Sequence, residues 1–447
     1  MNNTIAILKS YLSSKYLTRF SSRQYLLAWQ DQKVRHFLKI ILPQSPFYRE
    51  YYAGLKVEQW QDLPTINKSI MMDNFDHLNT VGIRKEEALA VAIAAENTRN
   101  FSSSLKDCTI GLSSGTSGNR GLFIVSQRER NIWAGTVLAK ALPQFIFFPQ
   151  TIAFFLRANS NLYETVNKQR IQYAYFDLFE KVENHIKRLQ SVNPTILVAP
   201  PSMLRLLAQA QSQGHFRIKP RKIISVAEVL DPIDEKFISQ SFQQKIHQLY
   251  QCTEGFLGST CEYGNLHLNE DLVVIQKEYI DEGKFMPIIT DFTRQAQPII
   301  RYRLDDILTE SKTPCPCGSV LMPVASIEGR KDDIFWLFSQ TKEKLIPVFP
   351  DFIRRAIITA SEDLQEYRVV QESMTSITVF LKSSVDCRIA IQKKVTENLE
   401  RLWLKLSCQA PILTYQDYPM RKTHHQKMRR VQREFTPDNL DFLEFKV

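Results

Sequence analysis

The stretch CTIGLSSGTSGNRG, residues 108–121, joins a short apolar segment to a loop rich in glycine, serine and threonine. Cys108–Leu112 has the pattern of a short strand, and the loop residues that follow it are Ser113, Ser114, Gly115, Thr116, Ser117 and Gly118. Glycines let a backbone approach a ligand closely, and hydroxyl and amide groups donate to phosphate oxygens. The loop lacks the Gly-Lys-Ser/Thr ending of a Walker loop. Alone, it predicts either a phosphate-binding loop or a flexible turn.

Short apolar runs alternate with amphipathic stretches downstream of this loop. Thr151–Leu156, Thr195–Ala199 and Lys222–Val226 have the composition of buried strands, and Ser202–Gln211 has helical periodicity. This alternation predicts crossover units on a parallel sheet. Ligands in such sheets bind beyond the carboxyl ends of the strands, so we expect the chemistry there.

The two ends of the chain have other patterns. The first hundred residues predict helices, such as Gln24–Ile41, whereas the last part predicts strands at Tyr367–Gln371 and Ser376–Leu381 and a helix at Ile389–Lys405. We therefore predict an α/β protein with a large N-terminal domain, 1–331, in which parallel sheets are flanked by helices. It comprises a helical start, 1–105, and a core, 106–331. A small α+β domain, 332–447, follows.

Composition bounds the class of protein. The chain has 447 residues, of which 44% are apolar and 23% charged, as in soluble globular proteins. Its start lacks a secretory pattern, and its most apolar stretch, Phe145–Leu156, is too short to span a membrane, so we expect a cytoplasmic protein. Seven cysteines favour free thiols or metal ligands over a disulfide framework. The net charge of +10 favours an anionic partner, which includes nucleic acid, a membrane surface or a small substrate.

Further motifs follow the loop in order along the chain. They are Ala227-Glu228, Tyr250-Gln-Cys-Thr-Glu254, Pro298–Ile307, Ile327–Asp333, Val348-Phe-Pro350 and Gln426–Val431. Together with the loop they resemble the adenylate-forming superfamily. The resemblance is closest to the phenylacetate–coenzyme A ligases and to their relatives that adenylate a deazaflavin coenzyme. It covers residues 108–431, nearly three-quarters of the chain.

The resemblance implies an enzyme that uses ATP and magnesium to convert a carboxylic acid into an acyl adenylate. It implies that the loop, Thr253 and Arg330 contact phosphate or ribose, and that Ala227, Glu228 and Tyr250 contact adenine. It implies that Asp306 binds ribose and that Glu254 binds magnesium. It also implies that Asp332 is the hinge and that Lys427 is the catalytic lysine. The resemblance also implies that the small domain, 332–447, is mobile and rotates so that the acceptor can enter.

Four positions depart from the family's motifs, and these departures bear on the acceptor. Arg120 stands where the family often has proline, Gly121 where lysine or threonine is common, Asp305 in place of glycine, and Gln426 in place of the glycine before Lys427. We predict a ligase that transfers the acyl group to coenzyme A. An adenylyltransferase that passes AMP to a hydroxyl acceptor is the alternative, and a zinc-stabilised nucleic-acid-binding protein is a distant one. The expected partners are the acid, ATP and coenzyme A, without nucleic acid or a membrane span; a homodimer is left open.

A second group of residues has the composition of a metal site. Cys261, His267, Cys315 and Cys317 supply three thiolates and one imidazole, which form a closed tetrahedral set for structural zinc. Their spacing differs from that of common zinc fingers, so buried free thiols and a core histidine are the alternative. Several phenylacetate–coenzyme A ligase relatives resemble this arrangement, which favours zinc. The remaining cysteines, Cys108, Cys252, Cys387 and Cys408, have no evident partner.

The pocket for the acid is predicted next to the loop. We expect it between the helix that carries Trp133 and Val137 and the strand around Ala153–Leu156. Aromatic residues make up 11% of the chain, which is weak support for an aromatic or apolar acid because most aromatics fill cores.

Overall fold

The computed structural model describes residues 3–100, 104–113, 120–142, 148–157, 170–341, 344–419 and 428–437. Its N-terminal segment is helical, as the sequence predicts. The helices are Asn3–Leu12, Arg23–Gln44, Pro46–Tyr51, Lys68–Asp73, Phe75–Leu78 and Lys85–Thr98, with a π-helical turn at Ser13–Leu17 and a 3-10 turn at Val57–Asp62. The longest, Arg23–Gln44, is capped by Ser22, whose side chain accepts from the Tyr25 amide at 3.2 Å. None of the helices in the described ranges is both long and apolar enough to cross a membrane.

A small antiparallel sheet carries the glycine-rich loop. Its strands are β1 (Ser104–Leu105), β2 (Cys108–Leu112) and β3 (Leu122–Val125). The helix Gln127–Ala141 follows β3 and starts with a capping box, because the Ser126 side chain accepts from the Glu129 amide and the Glu129 carboxylate accepts from the Ser126 amide. The loop therefore connects two paired strands.

The main sheet has 12 strands, and one half of it is parallel. The parallel strands are β4 (Gln150–Leu156), β5 (Ile171–Asp177), β6 (Ile196–Ala199), β7 (Lys222–Ser225) and β8 (Ile246–Gln251), in the order β8-β7-β6-β4-β5. The helices Val182–Val192, Pro201–Ser212 and Pro232–Phe242 cover one face, and Asn3–Leu12 and Gln127–Ala141 cover the other. Burial on both faces explains why these strands are nearly continuous apolar runs.

The other half of the sheet is antiparallel, which the prediction of crossover units did not include. Its strands are β9 (Phe256–Thr260), β10 (Leu266–Leu268), β11 (Val274–Asp281), β12 (Lys284–Asp291), β13 (Ile299–Arg303), β14 (Asp306–Glu310) and β15 (Pro323–Arg330). Several of these strands are joined by connections too short for a helix. Between β11 and β12, for example, Gly283 has a φ of +68°, which a tight hairpin turn requires.

The residues after Arg330 build a separate α+β unit. A hairpin of β16 (Phe335–Phe338) and β17 (Leu345–Val348) leads into the helix Pro350–Ile358, and a four-stranded sheet follows in the order β20-β19-β18-β21. Its elements are β18 (Glu366–Ser373), β19 (Ser376–Lys382), the helix Arg388–Lys405, β20 (Ile412–Asp417) and β21 (Val431–Arg433). This unit has its own hydrophobic cluster, around Tyr367 and Trp403. The predicted fold class is thus confirmed; the boundary at 331/332, which falls in the 3-10 turn Lys331–Asp333, remains a prediction.

Candidate active site

A cavity of about 980 Å³ lies at the carboxyl ends of β7 and β8, beside the base of the glycine-rich loop. The predicted site residues that line it are Ser113, Ala227, Glu228, Tyr250, Thr253, Glu254, Asp306 and Arg330. They come from separate loops and strands spread over more than 200 residues of sequence. The fold therefore brings most of the described candidates to one place.

The first wall of the cavity is the turn after β7. Ala227 has a φ of +66°, a left-handed conformation that is unusual for a residue with a side chain. The carboxylate of the next residue, Glu228, accepts from the Ser202 amide at 3.2 Å and the Ser202 hydroxyl at 3.1 Å. It also accepts from the Met428 amide at 3.2 Å. Glu228 thus links the turn to the C-terminal unit.

Tyr250 and Asp306 form the second wall. The Tyr250 hydroxyl donates to Asp306 Oδ2 at 2.6 Å, and the tyrosine is only 8% exposed. Burial and the nearby carboxylate raise the Tyr250 pKa well above its usual value, so the hydroxyl keeps its proton and remains a donor. Asp306 is therefore held in a fixed orientation at the start of β14.

Glu254 is held from two sides. One carboxylate oxygen accepts from the Thr253 hydroxyl at 2.7 Å and the other from the Tyr302 hydroxyl at 3.0 Å. The backbone of the connection between β8 and β9 is fixed as well, since Arg294 donates to the Thr253 carbonyl at 2.6 Å. A fixed carboxylate lining a cavity is a suitable oxygen ligand for Mg²⁺.

Arg330 brings positive charge to the same cavity. Its guanidinium lies 3.5 Å from an Asp305 oxygen and 3.8 Å from an Asp306 oxygen. Burial alone lowers the Arg330 pKa, but the surrounding carboxylates outweigh burial and raise it, so the group stays charged. In the adjoining turn it is the buried Asp333 that accepts from Arg429, at 2.9 Å. The hinge role of its half-buried neighbour Asp332 remains a prediction.

The base of the glycine-rich loop is a hydrogen-bonded pair of residues. The Ser113 amide donates to the Gly121 carbonyl at 2.8 Å, and the Gly121 amide donates to the Ser113 hydroxyl at 2.7 Å. The two ends of the loop are thus held close together. The predicted ligands between them, Ser114, Gly115, Thr116, Ser117 and Gly118, lie outside the described residues, and so does the predicted catalytic Lys427.

Lys68 and Arg429 are among the cationic residues of the cavity wall that were not predicted from the sequence. Lys68 starts a short helix, whose cap is Asn67, and burial lowers the pKa of its ammonium group while Glu254 acts to raise it. The lysine stem packs beside Gly121, where a Cβ would lie 3.1 Å from Lys68 Cε. Lys68 sits in a helical segment without a catalytic pattern, whereas the position of Arg429 close to Lys427 was an available signal.

Some of the residues predicted for the acid pocket line the cavity and others do not, and the pocket itself remains a prediction. Trp133 lines the cavity and donates from Nε1 to Gln251 Oε1 at 3.0 Å, and Leu156 lines it too. Val137 packs instead against the core beneath that helix, and Ala153 is fully buried on the opposite face of the sheet. The residues of this helix that line the cavity are Glu129, Ile132, Trp133 and Thr136, so Trp133 lies at one edge of the cavity-facing stripe and Val137 lies beyond that edge.

The cysteine and histidine candidates also converge, away from the cavity. The ligand atoms of Cys261, His267, Cys315 and Cys317 all lie within 4.8 Å of one another. Cys261 Sγ is 3.7 Å from Cys315 Sγ, and Cys317 Sγ is 3.5 Å from His267 Nε2. His267 Nδ1 lies 2.8 Å from the Leu321 carbonyl, which favours a proton on Nδ1. The unprotonated Nε2 then offers its lone pair to a metal ion. This geometry fits a tetrahedral metal ion.

Sequence comparisons find relatives that match part of the chain. No protein-family model matches. Protein CapK of Staphylococcus aureus is 25% identical over 218 residues, which are 48% of this chain and 47% of that protein. Indoleacetate–lysine synthetase of Pseudomonas savastanoi is 26% identical over 236 residues, 49% of this chain and 58% of that protein. The chain thus spans about half the length of these curated relatives.

Comparison of structures extends over most of the chain. 2-Hydroxyisobutyryl-CoA ligase, solved in the postadenylation state in complex with R3-HIB-AMP, matches with a TM-score of 0.66 and 15% identity, over 92% of this chain and 89% of that one. GH3.15 acyl acid amido synthetase matches with a TM-score of 0.55 and 12% identity, over 86% of this chain and 85% of that one. The shared fold therefore includes both the large sheet and the C-terminal unit.

Proposed function

Because the chain has the fold of the adenylate-forming superfamily, we propose that it is a ligase that uses ATP to activate a carboxylic acid as an acyl adenylate. The observation that carries the proposal is the convergence of Tyr250, Glu254, Asp306 and Arg330 on one cavity. These four residues belong to motifs that resemble the nucleotide-binding motifs of that superfamily. A fold shared with many enzymes does not select an activity, so the site residues are the stronger argument.

We assign the nucleotide to the wall that Ala227, Tyr250 and Asp306 form. The Asp306 carboxylate, oriented by the Tyr250 hydroxyl at 2.6 Å, is a suitable acceptor for ribose hydroxyls. The left-handed turn at Ala227 exposes backbone groups beside Tyr250, where adenine would lie. The phosphates would then face Thr253 and the glycine-rich loop.

Magnesium fits the carboxylate of Glu254. Two hydroxyl donors fix this carboxylate, and each of its oxygens retains a lone pair for a metal ion. When bound, Mg²⁺ would neutralise charge on the phosphates. Asp291, which also lines the cavity, is a weaker candidate because burial raises its pKa.

The chemistry of the first step is a transfer of AMP. An oxygen of the substrate carboxylate bonds to the α-phosphorus of ATP, and the bond from that phosphorus to the bridging oxygen breaks, so that pyrophosphate leaves with the electron pair. Two anions meet in this step, and Lys68, Arg330 and Arg429 bring positive charge to the cavity wall. We assign the remaining cation, aimed at the transferring phosphate, to Lys427.

For the second step we propose transfer of the acyl group to coenzyme A. The shared fold with a CoA ligase supports this acceptor. An amine acceptor is the second candidate, because one relative is an indoleacetate–lysine synthetase and a structural neighbour is an acyl acid amido synthetase. Transfer of AMP to a hydroxyl acceptor remains the third, since Arg120, Gly121 and Gln426 depart from the ligase motifs.

We further propose that Cys261, His267, Cys315 and Cys317 bind a structural zinc ion. With four protein ligands the site is closed, so it has no place for a substrate. Zinc there would tie the β9–β10 hairpin to the connection between β14 and β15, and β14 begins at Asp306. Its role would be to fix the position of the ribose-binding strand.

A pyrophosphate-release screen tests the enzymatic proposal. Aryl, aliphatic and amino-substituted acids are assayed with ATP and Mg²⁺, each alone, with coenzyme A, and with lysine as an amine acceptor. Lys427→Ala should reduce release by about a hundredfold or more, since one donor to developing charge is typically worth about 2.7–4 kcal/mol. Lys393→Ala, on the Arg388–Lys405 helix, is the matched control and should keep the wild-type rate. If no acid supports release and calorimetry detects no ATP binding, the proposal is wrong.

A further inference from the structure

The segment that follows Lys427 is attached at each of its first three residues. The Met428 amide donates to Glu228 in the large part of the protein, residues 3–330, at 3.2 Å. Arg429 donates from Nε to Asp333 in the connecting turn at 2.9 Å. Arg430 reaches back to the large part again. This anchoring places Met428 and Arg429 in the cavity wall.

The contact of Arg430 is a buried double hydrogen bond. Its Nη2 lies 2.6 Å from Asp234 Oδ1, its Nε lies 3.1 Å from Asp234 Oδ2, and the two side chains are 5% and 0% exposed. Asp234 belongs to the helix Pro232–Phe242 and also accepts from Arg205 at 3.0 Å. Arg430 donates in addition to the Tyr367 carbonyl at 2.8 Å. These hydrogen bonds together fix the orientation of the Arg430 guanidinium relative to the Asp234 carboxylate.

A second buried carboxylate lies beside the first. Asp231, the cap of the same helix, accepts from the Tyr367 hydroxyl at 2.5 Å and lies 3.3 Å from Arg354 Nε. Arg354 and Tyr367 both belong to the C-terminal unit. The two carboxylates come from the large part, and their cationic and hydroxyl partners come mainly from the C-terminal unit. We name this set, Asp231, Asp234, Arg354, Tyr367 and Arg430, the interdomain clamp.

The clamp contributes orientation more than stability. Buried ion pairs gain little over apolar contacts of the same size, because both charges must be desolvated, yet removing one partner is costly. Charged groups this deeply buried are satisfied only when the two parts meet in one geometry. A slightly rotated C-terminal unit would leave Arg430 buried without its carboxylate and Asp234 with Arg205 alone. The clamp thus selects a single arrangement of the two parts.

We propose that Asp234 is a positioning residue for the adenylation step, which rests on the function proposed above. By binding Arg430 it holds residues 428–430 against the cavity and so fixes the chain next to Lys427 while AMP is transferred. The clamp must open before the acceptor reacts, because the same segment otherwise stays in the cavity wall. Loss of the clamp therefore lowers the rate of the first step and spares the second.

The test compares Asp234→Asn with Asp271→Asn. Asp271, whose side chain is 5% exposed, pairs with Lys140 at 3.0 Å inside the large part, so it controls for the loss of one buried charge. The first step is measured as exchange between pyrophosphate and ATP, with the acid that gives the most release in the screen. The second is measured as consumption of the synthetic adenylate of that acid by coenzyme A or lysine, whichever serves the wild type. Tyr367→Phe, which removes only the hydroxyl that binds Asp231, serves if Asp234→Asn does not fold.

We expect Asp234→Asn to lower kcat for exchange by at least about tenfold with KM for ATP changed by less than about threefold. The second step should be unchanged or faster, and Asp271→Asn should match the wild type in both. Small-angle X-ray scattering, which needs no substrate, should show a larger maximum dimension for Asp234→Asn alone. Equal losses in both steps, or wild-type exchange and scattering, would overturn the positioning role. If the wild type itself neither binds ATP nor catalyses exchange, it is the proposed function that fails.

Discussion

Replacing Tyr250 by phenylalanine removes one oxygen atom from the cavity wall and leaves the ring. That oxygen donates to Asp306, the proposed ribose ligand, at 2.6 Å and so orients its carboxylate. The ring is 8% exposed, so phenylalanine keeps its packing. The substitution therefore separates the orientation of Asp306 from the shape of the cavity.

A hydrogen bond to a charged group is worth about 1.5–3 kcal/mol. If nucleotide binding needs Asp306 in its present orientation, the dissociation constant for ATP rises by roughly 10- to 150-fold, since each 1.4 kcal/mol is a factor of ten. The lower end is expected, because Arg330 also lies 3.8 Å from Asp306 and retains part of the orientation. KM for ATP should rise with it, whereas kcat should change little.

Isothermal titration calorimetry with ATP measures this effect directly, and urea denaturation shows whether the variant is folded. Tyr279→Phe is the matched control, because the Tyr279 hydroxyl also donates to a carboxylate, Glu310, at 2.7 Å, but outside the cavity. Its ATP affinity should equal that of the wild type. Wild-type affinity in folded Tyr250→Phe would refute the assignment of Tyr250 and Asp306 to the nucleotide.

Two further predictions concern the metal cluster and pH. Gently purified protein should contain about one zinc ion per chain. Cys261→Ser should lose the metal and melt at a lower temperature, whereas Cys387→Ser should keep the zinc content and the melting temperature of the wild type. Wild-type protein without zinc would contradict the proposed site. Burial and the adjacent Glu328 raise the pKa of Asp351 to about 6. This raised value adds stability that is complete below the unfolded pKa, 3.8, and is lost as pH rises through about 6. Between pH 5 and 7.5 the wild type should thus lose roughly 1–2 kcal/mol of unfolding free energy that Asp351→Asn does not lose, as measured by urea denaturation.

The sequence predicted the parallel half of the sheet better than the rest. The strands β4, β6 and β7 end within a residue or so of the predicted bounds, because burial on both faces makes them continuous apolar runs. The antiparallel strands were not predicted as a sheet, since their short connections resemble those of many other β arrangements. Their position in the fold depends on pairing between segments that lie far apart in the chain.

The candidate site was predictable where function requires particular residues in order. Thr253, Glu254 and Asp306 belong to motifs, and all three residues line the cavity. Thr253 and Glu254 follow the end of β8, and Asp306 begins β14. The pairing of Arg429 with Asp333 was not predictable, because adjacent carboxylates differ only in the direction that the turn gives them. The pairing of Arg430 with a residue 196 positions away was equally unpredictable, because it depends on how the C-terminal unit sits.

The change of strand direction between β8 and β9 affects how the protein handles anions. β8 ends at Gln251 and β9 begins at Phe256, so within this fully described loop no helix starts. In many nucleotide-binding folds the dipole at a helix N-terminus provides a permanent positive potential for phosphate. Here the positive potential beside the loop comes from side chains on separate segments, namely Lys68, Arg120, Arg330 and Arg429. The electric field at this wall is thus strongest when those segments meet and weaker when they separate, so the affinity for the proposed ATP would depend on the arrangement of these segments.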